Sequence, residues 1–421
     1  MNSSGQEPHI VIVGAGFAGL QAALTLARAK LSAHVLLLDR HAYHTFTPLL
    51  YQVATAALEA EQIAYPVRAI FRRWRNVECG VAEVTGVDLA SRLLQTDGGP
   101  VPYDYLILAA GSVTSFFGVP GVTEASYHLK DLPEALALRN RLLTLFERAA
   151  EAPDSARRTA VNLVVVGGGP TGVELAGALS ELSREILTHD FPGLTSQDVC
   201  VTLIEAGGRL LAPFRPRLSG AALRALQQRG VKVLLQSQVE AVDPKGVHLA
   251  GGRTVETSLL LWAAGVRASE LARSVTSSLA SSGRVSVLPT LQLPDRPEVY
   301  VIGDMAEVRQ GMEALPMLAP VAIQEGRHAA DDVMRQIEGA RVRAFQYTDR
   351  GMMATIGRSS AVVQAGPLSL SGFVAWVAWL TLHLVELIGY RNRMIVLVNW
   401  AWEYLFFQRA VRIVIKPAEH Q

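Results

Sequence analysis

The sequence predicts an α/β fold made of two Rossmann-like dinucleotide-binding domains, followed by a C-terminal helical module. Three observations carry that expectation. HIVIVGAGFAGLQAALTLA, His9 to Ala27, reads as a β-branched strand, a GxGxxG turn and a small-residue helix. NLVVVGGGPTGVELAGALSEL, Asn162 to Leu182, repeats that order. From about Ser369 to Ile415 the chain changes character, with dense apolar residues and Trp376, Trp379, Trp400 and Trp402.

In the first motif, Gly14 permits the tight turn and Gly16 lets the backbone approach a pyrophosphate. Gly19 lets helix and strand pack closely. The helix N-terminus then presents unpaired N–H groups to the phosphates. Asp39 ends the next strand, HVLLLD, at the spacing of about 20 residues expected of a ribose-binding acid. Two later strands return to the same site: YLILAAG, Tyr105 to Gly111, and VYVIGD, Val299 to Asp304. In flavin disulfide-reductase-like folds the corresponding Gly-Asp aspartate meets the flavin ribityl chain, so Asp304 points to FAD. Its bland alternative is a helix N-cap.

The second motif, Gly167, Gly169 and Gly172, repeats the logic. Glu205 ends the strand VCVTLIEA, after a longer gap that contains REILTHDFPGLTSQD. A carboxylate there accepts from the ribose 2′-OH of NADH and repels the 2′-phosphate of NADPH, with Arg209 near enough in sequence to soften that exclusion. LLLWAAG, Leu259 to Gly265, is the strand and turn expected along the nicotinamide half. Glu174 follows the last glycine by two residues. It reads equally as a first-turn carboxylate favoured by the helix dipole or as a group beside nicotinamide and flavin.

A chain of 421 residues accommodates two or three domains with sizeable cores. The expected division is an FAD domain over 1–118 and 289–345, interrupted by an NADH domain over 119–288, then a C-terminal module over 346–421. Proline and charge between Ala152 and Arg158 fit a connecting stretch. With 50% hydrophobic and 18% charged residues the chain is apolar. Even so, no uninterrupted run reaches the roughly 20 residues of a membrane span. The net charge of +1 gives no general affinity for nucleic acid. The polar leader, Met1 to Pro8, lacks an apolar signal core, so no export signal is expected and the N-terminal half should fold in the cytoplasm. Cys79 and Cys200 are far apart and form no CxxC pair. Two ordinary thiols in or near strands are expected, with no disulfide framework, metal site or dithiol redox step.

In the C-terminal module, Met394, Leu397, Val398, Ala401, Trp402 and Leu405 recur at helical spacing, with Asn399 and Glu403 elsewhere on the wheel. Arg391, Arg393, Arg409, Arg412 and Lys416 bracket the segment. An apolar stripe with tryptophans and basic flanks suits a helix lying in a membrane interface. A buried hairpin or a homodimer interface is the alternative. His383 and Glu386 interrupt the earlier apolar run FVAWVAWLTL and argue against a true span.

With these segments placed, the chain resembles the type II NADH dehydrogenases, the single-subunit NADH:quinone oxidoreductases. The resemblance covers nearly the whole chain. It rests on HTFTPLLYQVATAAL (His44 to Leu58), GGGPTGVELAGALSE (Gly167 to Glu181), APVAIQEG (Ala319 to Gly326), GMMATIGR (Gly351 to Arg358) and RNRMIVLVNWAWEYLFFQR (Arg391 to Arg409). It implies hydride transfer from NADH to FAD, then two electrons to a membrane quinone, without proton pumping. Nicotinamide C4 would sit about 3–3.5 Å from flavin N5. Thr47 to Gln52 would pass near the isoalloxazine. Phe17, Ala18, Arg40, Ala82, Ala110, Gly111 and Ala322 join the expected FAD contacts, and Thr171 and Gly265 the NADH contacts. Glu174 would match the family glutamate at the nicotinamide–flavin junction. Gln324 would contact quinone at its entrance, or else cap the following helix; Pro320 stands where the family commonly has a first glutamine. The implied location is the cytoplasmic face of the cell inner membrane, on the lipid surface.

Other functions fit parts of the chain. A soluble NADH-dependent flavoprotein reductase leaves the tail unexplained, and a membrane-associated NADH-sensing flavoprotein would show no quinone turnover. A sulfide:quinone oxidoreductase needs reactive cysteines that Cys79 and Cys200 do not supply.

Overall fold

The computed structural model describes residues 7–29, 32–151, 161–186, 190–191, 194–195 and 197–406. The expected connection at 152–158, and Arg409, Arg412 and Lys416, lie outside the described residues. The strands that position the site are β1 (His9–Val13), β2 (His34–Asp39), β3 (Val77–Val81), β4 (Tyr105–Leu108), β5 (Val161–Val166), β6 (Val199–Ile204), β7 (Leu259–Trp262), β8 (Arg296–Val301), β9 (Met352–Gly357), β10 (Ser360–Ala365) and β11 (Leu368–Gly372). The helices are α1 (Phe17–Arg28), α2 (Pro170–Glu181), α3 (Ala319–Ile337), α4 (Phe373–Glu386) and α5 (Tyr390–Phe406).

The chain forms two compact units. The first comprises Met1–Thr45, Ala64–Val113 and Val266–Asp349. Its main sheet has the order Gln292–Leu293, β8, β4, β1, β2, β3. The strands from β8 to β3 pair in parallel. Ile10, Val11, Ile12, Leu106, Ile107 and Leu108 are fully buried, as continuous apolar runs in a parallel sheet covered on both faces should be. The chain order reverses at β1, which lies between β2 and β4. Such a switch point opens a crevice at the carboxyl ends of the strands. Helix α3 packs on α1 so closely that a Cβ on Gly326 would meet the Ala18 carbonyl oxygen at 2.1 Å.

The second unit comprises Phe46–Ile63, Thr114–Gly265 and Arg350–Gln421. Its parallel sheet runs Ser126–Tyr127, β7, β5, β6, Lys232–Leu234. Here β5 occupies the place that β1 holds in the other sheet. Helix α2 leaves β5 and crosses the antiparallel meander β9–β10–β11. Gly177 permits that crossing, since a Cβ there would stand 2.4 Å from the Ile356 carbonyl oxygen. The two sheets bear out the expected Rossmann-like fold class. Cys79 and Cys200 lie in β3 and β6, as ordinary thiols in strands.

Helices α4 and α5 close the second unit, burying Ala375, Trp379, Val396 and Trp400 and leaving further apolar residues exposed. Met394, Leu397, Val398, Ala401, Trp402 and Leu405, the stripe expected from the sequence, all face outward. The polar Asn392 and Asn399 turn inward and donate to the Glu61 carbonyl at 3.2 Å and to Gln62 Oε1 at 3.1 Å. Among the described residues no helix is long and apolar enough to cross a membrane.

Candidate active site

The three glycines of the first motif are divided by what surrounds them. Gly14 has φ +100° and no room for a side chain: a Cβ would stand 2.3 Å from the Ala109 carbonyl oxygen. A Cβ on Gly19 would stand 1.9 Å from the Gly14 carbonyl oxygen. Gly16 has nothing within 4 Å. The outer glycines serve packing, and the middle one faces open space before α1. That helix has no side-chain cap and no acid in its first turn, so its leading N–H groups can receive a diphosphate. Asp39 Oδ2 accepts the Ala15 N–H at 2.7 Å and Oδ1 the His41 N–H at 2.7 Å.

The second motif has the same division. Cβ atoms on Gly167 and Gly172 would collide with the Ala263 and Gly167 carbonyl oxygens at 2.4 and 1.8 Å, and Gly169 has nothing within 4 Å. Helix α2 starts without a side-chain cap, with proline at its beginning. Glu205 accepts the Gly168 N–H and the Gly207 N–H, each at 2.6 Å. The expected acids are therefore held by the glycine turns of their own cradles. Thr171 is exposed at the start of α2. Gly265 lies under Phe117, whose ring a Cβ would meet at 2.6 Å.

The other expected FAD contacts gather near the first cradle. Phe17 meets His44 edge-on at 5.3 Å between ring centres. His44 is buried and its Nδ1–H donates to the Ala15 carbonyl at 2.8 Å; burial lowers its pKa. Ala82 N–H donates to the Asp39 carbonyl at 3.0 Å. Asp39 lines a recess with His41, Arg68, Cys79 and Val81, none of which the motif singled out. Arg40 is exposed, Ala18 and Ala322 are buried, and Ala110 is half-buried. Gly111 turns the chain at φ +67°.

Asp304 is no N-cap. It lies within the short 3₁₀ turn Gly303–Met305, and its Oδ2 accepts the Ser112 hydroxyl at 2.5 Å. Glu325, buried in α3, braces the same turn by accepting the Gly303 N–H at 2.5 Å. Burial pushes the Glu325 carboxyl up to about 8; the Gly303 N–H opposes the shift and the Asp304 charge adds to it. Sequence reasoning missed Glu325 and Ser112, although Glu325 stands in APVAIQEG.

Glu174 is the fifth residue of α2, because the helix begins at Pro170, before the last glycine. It does not sit in the first turn, and the helix-dipole reading falls. Its Oε1 accepts the Thr355 N–H at 3.2 Å. Crowding by protein atoms pushes its pKa up to about 8. The Thr355 N–H opposes that shift, as does the Trp379 indole N–H, which is outside hydrogen-bond geometry. The shift favours the protonated carboxyl toward neutral pH.

Thr47 is exposed, whereas Gln52 is buried in a polar chain that sequence did not reveal. Trp400 Nε1–H donates to Gln52 Oε1 at 2.8 Å, and Gln52 Nε2–H donates to the Tyr51 hydroxyl at 2.8 Å. Burial, then the nearby Glu174, pushes the Tyr51 phenol well above its ordinary range. Trp379 stacks on His383 with ring centres 4.0 Å apart, and burial lowers the His383 pKa to about 4. Gln324 caps no helix. It lies within α3, and its amide both donates to and accepts from the Thr348 backbone, at 3.0 Å each way.

Two Rossmann-like sheets, each with an open middle glycine before a bare helix N-terminus and an acid at the next strand end, define an oxidoreductase built for two dinucleotides. Comparison with known proteins narrows the class. Residues 8–326 match the pyridine nucleotide-disulphide oxidoreductase family. A type II NADH:quinone oxidoreductase of Mycobacterium tuberculosis is 39% identical over 417 residues, covering 95% of this chain and 89% of that protein. The mitochondrial internal alternative NAD(P)H-ubiquinone oxidoreductase A1 of Arabidopsis thaliana is 30% identical, covering 97% of this chain and 86% of its own length. The solved structure of NDH2 from Plasmodium falciparum in complex with NADH shares the fold, with a TM-score of 0.87 at 19% identity over 98% of this chain and 100% of that one. The chain belongs to the type II NADH:quinone oxidoreductases, within the pyridine nucleotide-disulphide oxidoreductase family.

Proposed function

We propose that this protein oxidises NADH and reduces a membrane quinone, without pumping protons. The repeated glycine-and-acid cradle carries this reading, read together with family membership. Bound FAD supplies the two-electron exchange between a hydride donor and a quinone. Gly14, Gly16, Phe17, Ala18, Gly19, Asp39, Arg40, Ala82, Ala110, Gly111, Asp304 and Ala322 would hold FAD, with Thr47 and Gln52 toward its ring. Gly167, Gly169, Thr171, Gly172, Glu205 and Gly265 would hold NADH. Glu205 orients the ribose hydroxyls while fixing its own turn through Gly168 and Gly207.

Glu174 and Gln324 are the catalytic residues of this reading. The raised pKa of Glu174 favours a proton at its carboxyl oxygen in a site where protons must reach the reduced product. Gln324 acts on the quinone, with its amide anchored by Thr348.

The functional segments remain 1–118 with 289–345 for FAD, 119–288 for NADH and 346–421 for the membrane. They are assigned by what each carries and need not coincide with the compact units. The outward apolar faces of α4 and α5 support attachment to a lipid surface. The location we propose is the cytoplasmic face of the inner membrane. The same face is where a homodimer would form if the protein associates with itself.

The deciding experiment is NADH oxidation by the purified yellow protein with a short-chain quinone, repeated with NADPH. Quinone-dependent turnover that prefers NADH is expected. Flavin that NADH reduces but quinone does not reoxidise would overturn the reading in favour of a sensor.

A further inference from the structure

Beyond the nucleotide cradles, the second unit holds a basic cleft. It has a volume of about 360 Å³ and is lined by Ser180, Glu181, Arg184, Arg229, Arg358 and Ser359. The residues come from separate elements. Arg184 lies in a π-helical turn, Leu182–Ile186, that continues α2; such bulges are frequent at functional sites. Arg229 caps the helix Pro216–Gln228. Arg358 and Ser359 form the turn between β9 and β10, with Ser359 at φ +60°, a conformation kept only where the surroundings enforce it.

The lining residues are linked to one another. Glu181 accepts the Arg358 backbone N–H and lies 3.7 Å from Arg229 Nε. Arg229 Nη2 donates to the Arg358 carbonyl at 2.6 Å, and Ser180 Oγ donates to the Arg229 carbonyl at 2.6 Å. Among the described residues the lining brings together three guanidinium groups and one carboxylate. Planar guanidinium forks match tetrahedral oxyanions, and phosphate above all.

The cleft also adjoins the outward apolar face. The Arg358 guanidinium lies 4.5 Å from the centre of the Tyr404 ring and donates to the Tyr404 carbonyl. Tyr404 belongs to α5, whose Leu397, Val398, Trp402 and Leu405 are exposed. An anion in the cleft thus has an apolar surface beside it, as a lipid headgroup requires and a free ion does not.

We propose that this cleft binds the phosphate of an anionic phospholipid whose acyl chains lie along α5. The proposal rests on the reading that α4 and α5 face a membrane, and deepens it from general attachment to a headgroup site.

The test is flotation of the FAD-loaded protein with vesicles of phosphatidylcholine alone or with phosphatidylglycerol added. Wild type should bind the anionic vesicles at least roughly tenfold more tightly. Arg184→Gln with Arg358→Gln should erase most of that preference, keep the attachment to neutral vesicles and keep NADH oxidation by a short-chain quinone. Arg184→Gln alone, at an exposed position, should lose part of it, and Arg358→Lys alone, which keeps the charge, should retain most of it. Arg391→Gln, which removes an exposed charge outside the cleft, should have a smaller effect than Arg184→Gln. Equal losses at Arg391 and Arg184 reduce the effect to general surface charge and overturn the site. So does a double variant with its preference intact. Competition by millimolar inorganic phosphate at fixed ionic strength would reassign the cleft to free phosphate and overturn the lipid assignment. Wild type that binds both vesicles equally defeats the headgroup site alone, and wild type that binds neither defeats the membrane reading with it.

Discussion

Trp400 donates its indole N–H to Gln52 Oε1 across 2.8 Å, in a buried contact between residues 348 positions apart. The bond ties α5, whose other face is outward and apolar, to the segment that the family resemblance places toward the flavin ring. Gln52 in turn orients the Tyr51 hydroxyl. Trp400→Phe keeps most of the ring volume and leaves the Gln52 oxygen without its donor. It should cost about 1–3 kcal/mol of stability and slow flavin reoxidation by quinone more than flavin reduction by NADH. Stopped-flow absorbance separates the two half-reactions; equal slowing of both would count against a specific role for this bond.

Glu205 should govern the choice of dinucleotide. Glu205→Gln keeps the side-chain size but removes the charge that repels a 2′-phosphate. The NADH-over-NADPH ratio of kcat/KM should fall by about tenfold or more, since hydrogen bonds to charged groups contribute about 1.5–3 kcal/mol. An unchanged ratio in a folded, flavin-loaded variant would assign cofactor choice elsewhere.

Stability should decline as pH rises toward 8, and Glu174 should account for part of the decline. Its carboxyl titrates near 8 in the folded protein against an ordinary value of 4.5, and Glu325 behaves alike. Between those values the folded state binds more protons than the unfolded state. Stability is therefore fully present below the unfolded value and lost as pH rises through the folded one. The slope is at most about 1.4 kcal/mol per pH unit for each group. Glu174→Gln should flatten the dependence of the urea midpoint on pH from 5 to 8 without abolishing it, since Glu325 remains. Parallel curves for variant and wild type would refute the raised pKa.

Gln324→Ala should slow the quinone half-reaction and leave reduction by NADH nearly intact. It also releases the Thr348 backbone from two hydrogen bonds. A stability loss of about 1–2 kcal/mol should accompany the kinetic change. Damage shared equally by both half-reactions would make Gln324 a brace only.

Charging the outward face should weaken membrane attachment and spare the chemistry. Leu397 and Val398 are 44% and 57% exposed, so Leu397→Glu with Val398→Glu removes apolar contact without opening the core. Partition onto vesicles should fall at least about tenfold, while NADH oxidation with a short-chain quinone persists. Unchanged partition would move the anchor elsewhere. Deletion from Ser369 is a poorer probe, because it removes β11 and the buried Trp379 and Trp400.

The parts of this molecule legible in its sequence were those whose physics is local. Gly14, Gly16 and Gly19 act within one turn, and Asp39 ends the next strand, so their order along the chain nearly fixed their arrangement. Glu174 was misplaced because the helix starts before Gly172 and counts that glycine as a helical residue. The stripe from Met394 to Leu405 was visible at helical spacing, but spacing does not say which side of a helix turns inward. On the inward side Asn392 and Asn399 donate to Glu61 and Gln62 across more than three hundred residues, beside the buried Val396 and Trp400. The Tyr51–Gln52–Trp400 chain and the Glu325 brace under Gly303 are likewise products of tertiary contact, invisible to any window of sequence.

On the proposed membrane reading, the outward apolar face of α5 makes folding and location a single equilibrium. A helix that presents leucine, valine and tryptophan to its surroundings leaves apolar surface against water. On that same proposed reading, the bilayer acts as the last layer of the core, supplied from outside the chain. Such a protein should be most heat-resistant where lipid or detergent covers α5, and most prone to self-association where neither does. Its unfolding temperature should rise on adding vesicles even without substrate, because a partner that engages only the folded form shifts the folding balance by mass action.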